Sequence, residues 1–486
     1  MTSGEPTVVT VGIDIGTTSV KAVAVDGDGV VVARARVPHP VITPAPNILE
    51  HDALLAWHDG VRAAAVAVAA EASGAGYRVA AVNTAAMVPS MCPVDSNGVP
   101  TGPGLLYGDE RAGESAERGL NPAEDGEAVR MLAWLTEHHP DASGYWPAQA
   151  VASSVLTGGG PTSGTIDSVT AMTTCPLFDY VSWDEKVAES AGATPEQLPR
   201  IVSGSQPAGR CGDDLGPALS GAVVGGGTID AFAEQLVAGA DNDGDVLVIL
   251  GATLIIWACV ANWYEAPGLW TIPHTAPGKV LNGGPSNAGG LLRDWATRSL
   301  AAPTDPDRSV TAGLDPDGVP VLLPYLRGER TPLHDPTRRG SFHGLSLAHG
   351  PDALWRSVYE ATGHSVRHHL ELANLLGPGA GADTEAGTAA RRIVATGGGT
   401  RDLDWVQAIA DVTGLSVDCV AVPEGGALGA AYLARAAAGL EPDASGAGRW
   451  ASTARRVEPD PAWHEAAVSR YAVFVAETGE PYVGEP

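Results

Sequence analysis

The sequence lacks any run of about 18 consecutive apolar residues, the length that an α-helix needs to span a membrane. Its first residues, MTSGEP, also lack the basic and apolar regions of a signal peptide. These two absences predict a soluble, cytoplasmic protein that has no membrane partner.

Cysteine and positive charge are scarce as well. The five cysteines form no CxxC pair, which predicts reduced, mostly buried thiols rather than a disulfide framework or a metal site. The chain has 29 Lys and Arg against 57 Asp and Glu, so its net charge is −28. Because nucleic acids and anionic membranes bind basic surfaces, this charge argues against both as partners.

Hydrophobic residues make up 44% of the 486 positions, which is enough for sizeable cores and for two or three domains. The chain contains no G-x-x-x-x-G-K-[ST] motif, and its first glycine turn is not the G-x-G-x-x-G fingerprint. An anionic ligand would therefore depend on other turns, on helix N-termini and on bound magnesium.

One such turn lies within Val8 to Asp26, VVTVGIDIGTTSVKAVAVD. The two apolar, β-branched runs predict antiparallel strands. The turn between them offers the backbone at Gly16 and the hydroxyls of Thr17 and Thr18 to an anion. Asp14 stands just before the turn, where a carboxylate suits a magnesium ion. A plain hairpin with a polar turn is the alternative interpretation.

A second unit of the same kind, DVLVILGATLIIWACV, runs from Asp245 to Val260 and has Gly251 and Thr253 in its turn. Two strand–turn–strand units in one chain indicate two related domains that clamp a nucleotide between paired phosphate turns. This is the sequence signature of the actin-like ATPase fold, which the chain resembles.

Two glycine-rich loops come next in importance. Gly225 to Asp230 leads into a predicted helix, where the N-terminal N–H groups would hold the Asp230 carboxylate. A simple N-cap is the commoner use of Asp in that position. Thr396 to Gly399 follows a predicted strand, and its glycines let the backbone lie flat against a ligand such as a nucleoside. An ordinary glycine-rich strand–helix loop is the alternative there.

Two predictions concern helices. Residues 166–200 are predicted to be largely helical, and residues 351–376 form a long amphipathic helix. In the second helix, His364 and His368 have the spacing of a zinc pair, but the Glu of H-E-x-x-H is missing. We therefore expect these histidines to pack or to face solvent.

Taken together, the motifs resemble the FGGY family of carbohydrate kinases, most closely its xylulose-kinase-like members. The resemblance extends from about Val8 to Ala434. It rests on these motifs, in chain order: Gly12-Ile-Asp14-Ile-Gly16-Thr-Thr18, Tyr107-Gly-Asp109-Glu-Arg111, Gly227-Thr-Ile-Asp230-Ala, Gly251-Ala-Thr253, Pro324-Tyr-Leu-Arg-Gly328-Glu329-Arg330-Thr-Pro332, and Thr396-Gly-Gly-Gly399 with Gln407 and Gly429-Ala-Ala431.

The resemblance implies an α/β fold of two actin-like (ribonuclease-H-like) domains, with a nucleotide and sugar cleft between them. The N-terminal domain, 1–241, would bind the sugar and carry the catalytic base. The C-terminal domain, 242–440, would bind the nucleotide, and 441–486 would form a helical extension. Many relatives are dimers, and the sequence leaves a homodimer open.

The resemblance also implies an ATP- and Mg²⁺-dependent phosphorylation of a small sugar. Asp230 would be the general base that accepts the proton of the attacking hydroxyl. Asp14 and Asp230 would hold the metal, and Arg111 would hold the loop of Asp109 through a salt bridge. The binding residues would be Gly16, Thr17, Thr18, Gly251 and Thr253 for phosphates, Gly397, Gly398, Gly399 and Gln407 for the nucleoside, and Met87, Tyr107, Asp109 and Asp230 for the sugar.

One stretch departs from the family pattern. Where xylulose kinases have a G-Q-M-H-G-like loop against the sugar, this chain has Ala85-Ala86-Met87-Val88-Pro89. Loss of the Gln and His makes that wall apolar, and a site without hydrogen-bonding groups selects a different ligand. A ketose of the xylulose or ribulose type, a deoxy sugar and a polyol all remain open as substrates.

Two other classes of protein are alternatives to a sugar kinase. A non-catalytic sugar sensor of the same fold would be expected to lose Asp14 or Asp230, and both are present. A Rossmann dehydrogenase is excluded because the first glycine turn connects two strands rather than a strand and a helix.

Overall fold

The computed structural model describes residues 6–45, 48–107, 109, 111, 126–274, 278–305, 307–422 and 424–481. Its strands are β1 (Val8–Ile15), β2 (Ser19–Val25), β3 (Val31–Pro38), β4 (Glu50–Asp52), β5 (Arg78–Ala86), β6 (Ser90–Val94), β7 (Pro103–Leu106), β8 (Gly144–Trp146), β9 (Thr165–Ile166), β10 (Arg200–Ile201), β11 (Pro207–Arg210), β12 (Val223–Gly225), β13 (Thr228–Ile229), β14 (Asp245–Leu250), β15 (Leu254–Val260), β16 (Trp270–Pro273), β17 (Val280–Ser286), β18 (Val321–Leu323), β19 (Ser341–His343), β20 (Arg392–Thr396), β21 (Val417–Val420) and β22 (Thr453–Val457).

The α-helices are α1 (Gly60–Gly74), α2 (Glu127–His138), α3 (Ala148–Thr157), α4 (Ser168–Met172), α5 (Glu185–Ser190), α6 (Asp230–Ala238), α7 (Gly290–Ser299), α8 (Pro351–Leu372), α9 (Leu403–Thr413), α10 (Gly425–Ala437) and α11 (Pro461–Thr478). Within the described ranges, no helix combines the length and the apolar character that a membrane crossing requires.

The chain forms two compact units. Unit 1 contains the residues up to Val237 together with Glu424–Trp450, and unit 2 contains Ala238–Pro423 and the residues from Ala451 onwards. Each unit is built on one large mixed sheet. The strand order is β11-β12-β5-β1-β2-β3 in unit 1, with β13 also paired to β5, and β16-β17-β15-β14-β20-β21-β22 in unit 2.

The two sheets repeat one arrangement. In unit 1, β1 pairs with β2 antiparallel and with β5 parallel. In unit 2, β14 pairs with β15 antiparallel and with β20 parallel. Both predicted strand–turn–strand units are therefore confirmed. Their central strands, β1 and β14, are buried along almost their whole length because other elements cover both faces, which is why the sequence has continuous apolar runs there.

Helix α10 is a component of unit 1. Its small residues let it lie directly on β1, where Thr10 Oγ1 donates a hydrogen bond of 2.8 Å to the Ala431 carbonyl. A Cβ on Gly12 would lie 1.8 Å from the Ala427 oxygen, and a Cβ on Gly429 would lie 1.8 Å from the Ala233 oxygen. Backbones pack this closely only where side chains are absent.

This division differs from the expected one at 241 and 440. The segment that contains α10 returns to unit 1 through the contact with β1, and Trp450 Nε1 donates to the Gly27 carbonyl of the same unit. The C-terminal residues that follow join unit 2. There β22 extends the sheet beside β21, and Arg470 of α11 forms an ion pair with Glu360 of α8.

The predicted helix over 166–200 is wrong. The structure has only α4, α5, a short 3₁₀ turn and two short strands in that stretch. Thr173 and Thr174 donate their hydroxyls to backbone carbonyls three residues earlier, and Asp179 accepts two backbone N–H groups in a turn. These local side-chain hydrogen bonds compete with a continuous helix.

The histidines of α8 pack in the interior, as expected. The rings of His364 and His368 lie 5.2 and 6.0 Å from the Phe474 ring, centroid to centroid. Burial lowers their pKa values to about 3 and about 4, so both stay neutral at physiological pH. In the described ranges, no group of three or more His, Cys, Asp or Glu side chains is arranged to hold a metal ion. All five cysteines are buried and unpaired with one another.

The contact between β1 and α10 yields a stability prediction. We expect Gly12→Ala to lower the free energy of unfolding by about 3 kcal/mol or more, because the new methyl group would displace backbone atoms of α10. Gly74→Ala is the matched control, since a Cβ there meets nothing within 4 Å and it ends a helix. Urea-induced unfolding measures both, and equal stability of the two variants would contradict the packing described.

Candidate active site

Three parallel strands of unit 1 end at one edge of the sheet. Asp14 of β1 and Thr228 of β13 both pair with Ala85 of β5, one on each side of it. The residues beyond these pairs therefore leave the sheet together: Met87 directly follows β5, and Asp230 directly follows β13. Ligands of open α/β sheets bind at the carboxyl ends of parallel strands.

The turn between β1 and β2 is closed by backbone hydrogen bonds. The Gly16 N–H donates to the Ser19 carbonyl over 3.1 Å, and the His39 N–H donates to the Thr18 carbonyl over 3.0 Å. Gly16 and Thr17 are half-buried and Thr18 is exposed. The predicted phosphate turn thus has a fixed shape with polar groups at its surface.

Side chains from the rest of unit 1 brace Thr17. His51 Nε2 lies 2.9 Å from the Thr17 carbonyl, and Trp57 Nε1 donates to His51 Nδ1 over 3.0 Å. Since Nδ1 accepts, Nε2 carries the proton and donates to Thr17. Burial lowers the pKa of His51 to about 4, so this neutral tautomer persists at physiological pH. The Thr17 hydroxyl also lies 3.4 Å from the Tyr107 hydroxyl, so the motif predicted to bind the sugar contacts the predicted phosphate turn.

Asp14 is buried, and its carboxylate is only partly paired. Lys21 Nζ lies 3.4 Å from Oδ2, whereas Oδ1 is buried and has no hydrogen-bond partner in the described part of the chain. Burial raises the pKa of Asp14, and the Lys21 charge opposes that rise. A buried carboxylate oxygen without a donor suits a cation, and Mg²⁺ prefers one or two carboxylates together with phosphate oxygens. The residues present therefore fit a magnesium ion.

Asp230 is the first residue of α6. Its Oδ1 accepts the Ala231 N–H over 2.7 Å. Burial is the main cause that raises the pKa of Asp230 to about 7, and repulsion by Asp14 and Glu234 adds to it. A carboxylate with a pKa near neutrality can accept a proton from a hydroxyl group and release it again.

Sequence reasoning missed two charged residues of this site. Lys21 pairs with Asp14 across the β1–β2 ladder, and its signal was a single cation inside an otherwise apolar strand just after the turn. Glu234 lies one helical turn after Asp230, and a Cβ on Gly425 would lie 2.5 Å from its Cγ. The periodicity of the helix that starts at Asp230 was the available signal for Glu234.

The loop at residues 85–89, which departs from the family pattern, is apolar in the structure as well. Ala85, Ala86 and Met87 are buried, while Val88 and Pro89 are half-buried. Val88 and Pro89 line a small, mostly apolar cavity whose other walls are Met91, Tyr145, Pro147, Leu177, Trp183, Leu198 and Pro199, together with Ser90, Thr170, Thr173 and Thr174. The wall predicted to face the sugar therefore continues into apolar surroundings.

The Asp109 carboxylate is hydrogen-bonded to neighbouring protein groups. It accepts hydrogen bonds from the Leu49 N–H and from the backbone and side chain of Arg111. Arg111 Nη2 also lies 2.6 Å from Glu50 Oε2. The expected salt bridge of Arg111 is therefore confirmed, and the Asp109 carboxylate is held by protein groups.

The predicted phosphate turn of unit 2 is hydrogen-bonded to the start of α7. The Gly251 N–H donates to the Thr253 carbonyl over 3.1 Å. The Gly290 and Leu291 N–H groups at the start of α7 donate to the Gly251 and Ala252 carbonyls, each over 2.9 Å. Ala252 is exposed at the tip of the turn. As in unit 1, backbone hydrogen bonds close the turn.

The three glycines after β20 serve different purposes. A Cβ on Gly397 would lie 2.7 Å from the Leu250 oxygen, and a Cβ on Gly399 would lie 2.6 Å from the Leu250 Cβ and 2.7 Å from the Trp405 ring. A Cβ on Gly398 would meet nothing within 4 Å. Internal packing thus requires Gly397 and Gly399, whereas open space surrounds Gly398.

Gln407 has partners within unit 2. Its Nε2 donates to Asp411 Oδ1 over 2.8 Å and to the Glu458 carbonyl over 2.9 Å. Asp411 in turn binds Arg356 through its other oxygen. The Gln407 amide therefore fastens α9 to the chain that leads into α11.

Comparison with protein families gives two matches. Residues 9–233 match the N-terminal domain of the FGGY family of carbohydrate kinases, and residues 259–438 match the C-terminal domain of the same family. The two matches together cover most of the chain; the strand–turn–strand unit of β1 and β2 falls within the first match almost completely, whereas β14 and the turn at Gly251 and Thr253 lie between the two matches.

Individual relatives carry more than one name. The chain is 29% identical to a xylulose kinase of Streptomyces coelicolor over 91% of either chain. It is 25% identical to a gluconokinase of Bacillus subtilis over 88% of this chain and 87% of that one. Among solved structures, the xylulose kinase from Rhodospirillum rubrum superposes with a TM-score of 0.81 at 27% identity, covering 96% of this chain and 98% of that chain. The predicted two-domain actin-like α/β fold is thereby confirmed.

The ion pairs of Arg111 yield a prediction about the loop of Asp109. We expect Arg111→Met to lower the free energy of unfolding by about 3 kcal/mol, because it leaves a buried carboxylate without its cation. Adding Asp109→Asn should restore part of that loss.

Arg62→Met is the matched control, because the Arg62–Asp214 pair is exposed and worth about 1 kcal/mol or less. Urea-induced unfolding of Arg111→Met, Asp109→Asn, the double variant and Arg62→Met measures these differences. Additive losses in the double variant would contradict a direct pair between Arg111 and Asp109.

Proposed function

This chain belongs to the FGGY family of carbohydrate kinases, and on that basis we propose that it transfers the γ-phosphate of ATP to a hydroxyl of a small sugar, with Asp230 as the general base. The observation that carries the proposal is the shared strand edge in unit 1. There the phosphate turn, Asp14 and Asp230 leave adjacent strands that are in register at Ala85.

Asp230 has the properties that a general base needs. A sugar hydroxyl is a weak nucleophile, so a carboxylate must accept its proton as the oxygen attacks phosphorus. The pKa of Asp230, about 7, makes the carboxylate a stronger base than an exposed Asp, and it is still largely ionised just above neutral pH. Its Oδ1 is held by the Ala231 N–H, which leaves Oδ2 as the atom for the incoming proton.

Each unit has a turn that would bind phosphate groups. In unit 1 these contacts come from Gly16, Thr17 and Thr18, and in unit 2 from Gly251 and Thr253. Backbone N–H groups and hydroxyls at such turns bind anions without a net positive charge, which suits a chain with a net charge of −28. Mg²⁺, held by Asp14 and by Asp230 directly or through water, would neutralise charge on the phosphates. Lys21 offsets the remaining negative charge of Asp14.

For the nucleoside, we propose a backbone contact at the glycines after β20. Gly398 is the position that offers open backbone, and Gly397 and Gly399 keep the turn close to Leu250. Gln407 would act by holding α9 in place rather than by touching the base, because both of its amide hydrogens have acceptors in the protein.

For the acceptor, we propose a ketose of the xylulose or ribulose type, bound near Met87 and Tyr107. Asp109 would shape this region through Arg111. A deoxy sugar or polyol is the second candidate, and the specific observation in its favour is the apolar cavity behind Val88 and Pro89. A mostly apolar wall binds a substrate that lacks a hydroxyl group at the adjoining position more readily than a polar wall does.

Removal of the base tests the mechanism. We expect Asp230→Asn to lower sugar-dependent ADP formation by about 10²- to 10⁴-fold, because the amide cannot accept the proton of the hydroxyl. Nucleotide binding, measured by calorimetry, should be retained. Asp184→Asn is the matched control, since Asp184 caps another helix of unit 1. Comparable activity of the Asp230 variant and the control would rule Asp230 out as the base.

The pH dependence follows from the raised pKa of Asp230. The base works only when ionised, so kcat/KM should fall as the pH drops below about 7. Glu234→Gln removes a negative charge that raises the pKa of Asp230, so the acidic limb of the kcat/KM profile should move to lower pH. The exposed Glu71→Gln on α1 serves as the control. A limb that stays in place, or that moves to higher pH, would contradict the repulsion described.

A further inference from the structure

A buried glutamine links the strand of the sugar loop to the strand of the base loop. Gln149 is the second residue of α3 and is fully buried. Its Nε2 donates to the Ala86 carbonyl over 3.0 Å and to the Thr228 carbonyl over 3.3 Å. Because both neighbours are carbonyl oxygens, only the amide nitrogen can occupy this position favourably. One NH₂ group therefore bridges β5 and β13.

The bridge lies where β13 has little other support. Strand β13 is two residues long and pairs with β5 only through Thr228 and Ile229. It follows three consecutive glycines, of which Gly227 has a φ of +82°. A segment that is short and preceded by glycine holds its position weakly unless side chains fix it.

The bridged atoms are next to the proposed reaction. The Ala86 carbonyl belongs to the peptide that joins β5 to Met87, and the Thr228 carbonyl is separated from Asp230 by one residue, Ile229. The Gln149 amide therefore sets the spacing between the loop that faces the sugar and the carboxylate that accepts its proton. Rates of such reactions depend steeply on this spacing, and a displacement of about 1 Å costs about 100-fold.

A second side chain holds the start of the base loop independently. Asn83 Oδ1 accepts the Gly227 N–H over 2.9 Å, and Asn83 Nδ2 donates to the Gly204 carbonyl over 3.2 Å. Without Gln149, these hydrogen bonds would still keep the loop on β5. We therefore expect substitution of Gln149 to loosen the loop rather than to unfold unit 1.

We propose that Gln149 is a positioning residue for phosphoryl transfer, which it serves by bridging the Ala86 and Thr228 carbonyls and so fixing Asp230 relative to the sugar loop. The proposal rests on the proposed function for its catalytic part. Its structural part, the bridge itself, is independent of that function.

The test uses two variants of the full chain that keep the length of the side chain. Gln149→Met loses both donors, and Gln149→Glu places a carboxylate against the two carbonyls. Gln197→Met is the matched control, because Gln197 also donates its amide to a carbonyl of unit 1, that of Ala142, but belongs to a surface 3₁₀ turn. Sugar-dependent ADP formation gives kcat and both KM values, and hydrogen–deuterium exchange follows the peptides around Met87 and Asp230.

We expect both Gln149 variants to lower kcat about tenfold or more, with the KM for ATP changed by less than about twofold, since the phosphate turns are untouched. Exchange should increase in the two peptides and stay unchanged elsewhere in unit 1. The control should match the wild type in kcat and in both peptides.

Three other results would decide against part or all of the account. Unchanged exchange in both Gln149 variants overturns the bridge. Increased hydrogen–deuterium exchange with an unchanged kcat would mean that the Gln149 bridge exists but does not position Asp230 for the reaction. If the wild type itself gives no sugar-dependent ADP formation, the proposed function fails, and the exchange comparison with the control still decides the bridge.

Discussion

The register of three parallel strands at Ala85 is the constraint on which the candidate site depends. Because Asp14 and Thr228 pair with the same residue from opposite sides, the turn after β1, the loop after β5 and the helix after β13 all start at one edge. A shift of one residue in any of these strands would turn the side chains to the other face of the sheet. Because Gly12 has no side chain, α10 packs directly on β1, and this contact helps to fix the register.

The same edge accounts for how an acidic chain can bind an anion. Asp14 and Asp230 repel each other, and burial strengthens that repulsion. Lys21, the N–H groups of the turn and a magnesium ion would offset it locally, whatever the net charge of the chain. Helix α10 also begins beside Asp14, where a Cβ on Gly426 would lie 3.0 Å from the carboxyl carbon. A helix N-terminus at that place favours negative charge.

Much of the site could be predicted from the sequence because it lies in short segments with strong local signals. The apolar runs around Gly16 and Gly251 predicted two strand–turn–strand units, and Asp230 was placed at a helix start. What the sequence left out depends on contacts between distant segments. Lys21 matters through its ladder partner, and Gln149 matters because α3 packs against the ends of β5 and β13. Neither residue stands in a recognisable motif.

The wrong helix prediction has a physical cause of the same kind, and so has the difference in the division into units. Residues 166–200 were predicted to be helical from their pattern, but threonine hydroxyls and turn aspartates bind the local backbone instead. The position of α10 in unit 1 depends on close backbone packing against Gly12 and Ala233, which a boundary drawn from the order of motifs cannot include. Asp109 and Gln407 likewise have partners, Arg111 and Glu458, that are visible only in three dimensions.

The central claim is that the edge after β1, β5 and β13 transfers phosphate from ATP to a sugar hydroxyl. The most direct measurement is ³¹P NMR of the products formed by the wild-type protein from Mg-ATP, offered in turn xylulose, ribulose, gluconate, deoxy ketoses and small polyols. The account predicts a phosphomonoester resonance with one of these acceptors, in equal amount to the ADP released. ADP accompanied only by inorganic phosphate, or no turnover with any acceptor in protein that binds ATP, would contradict it.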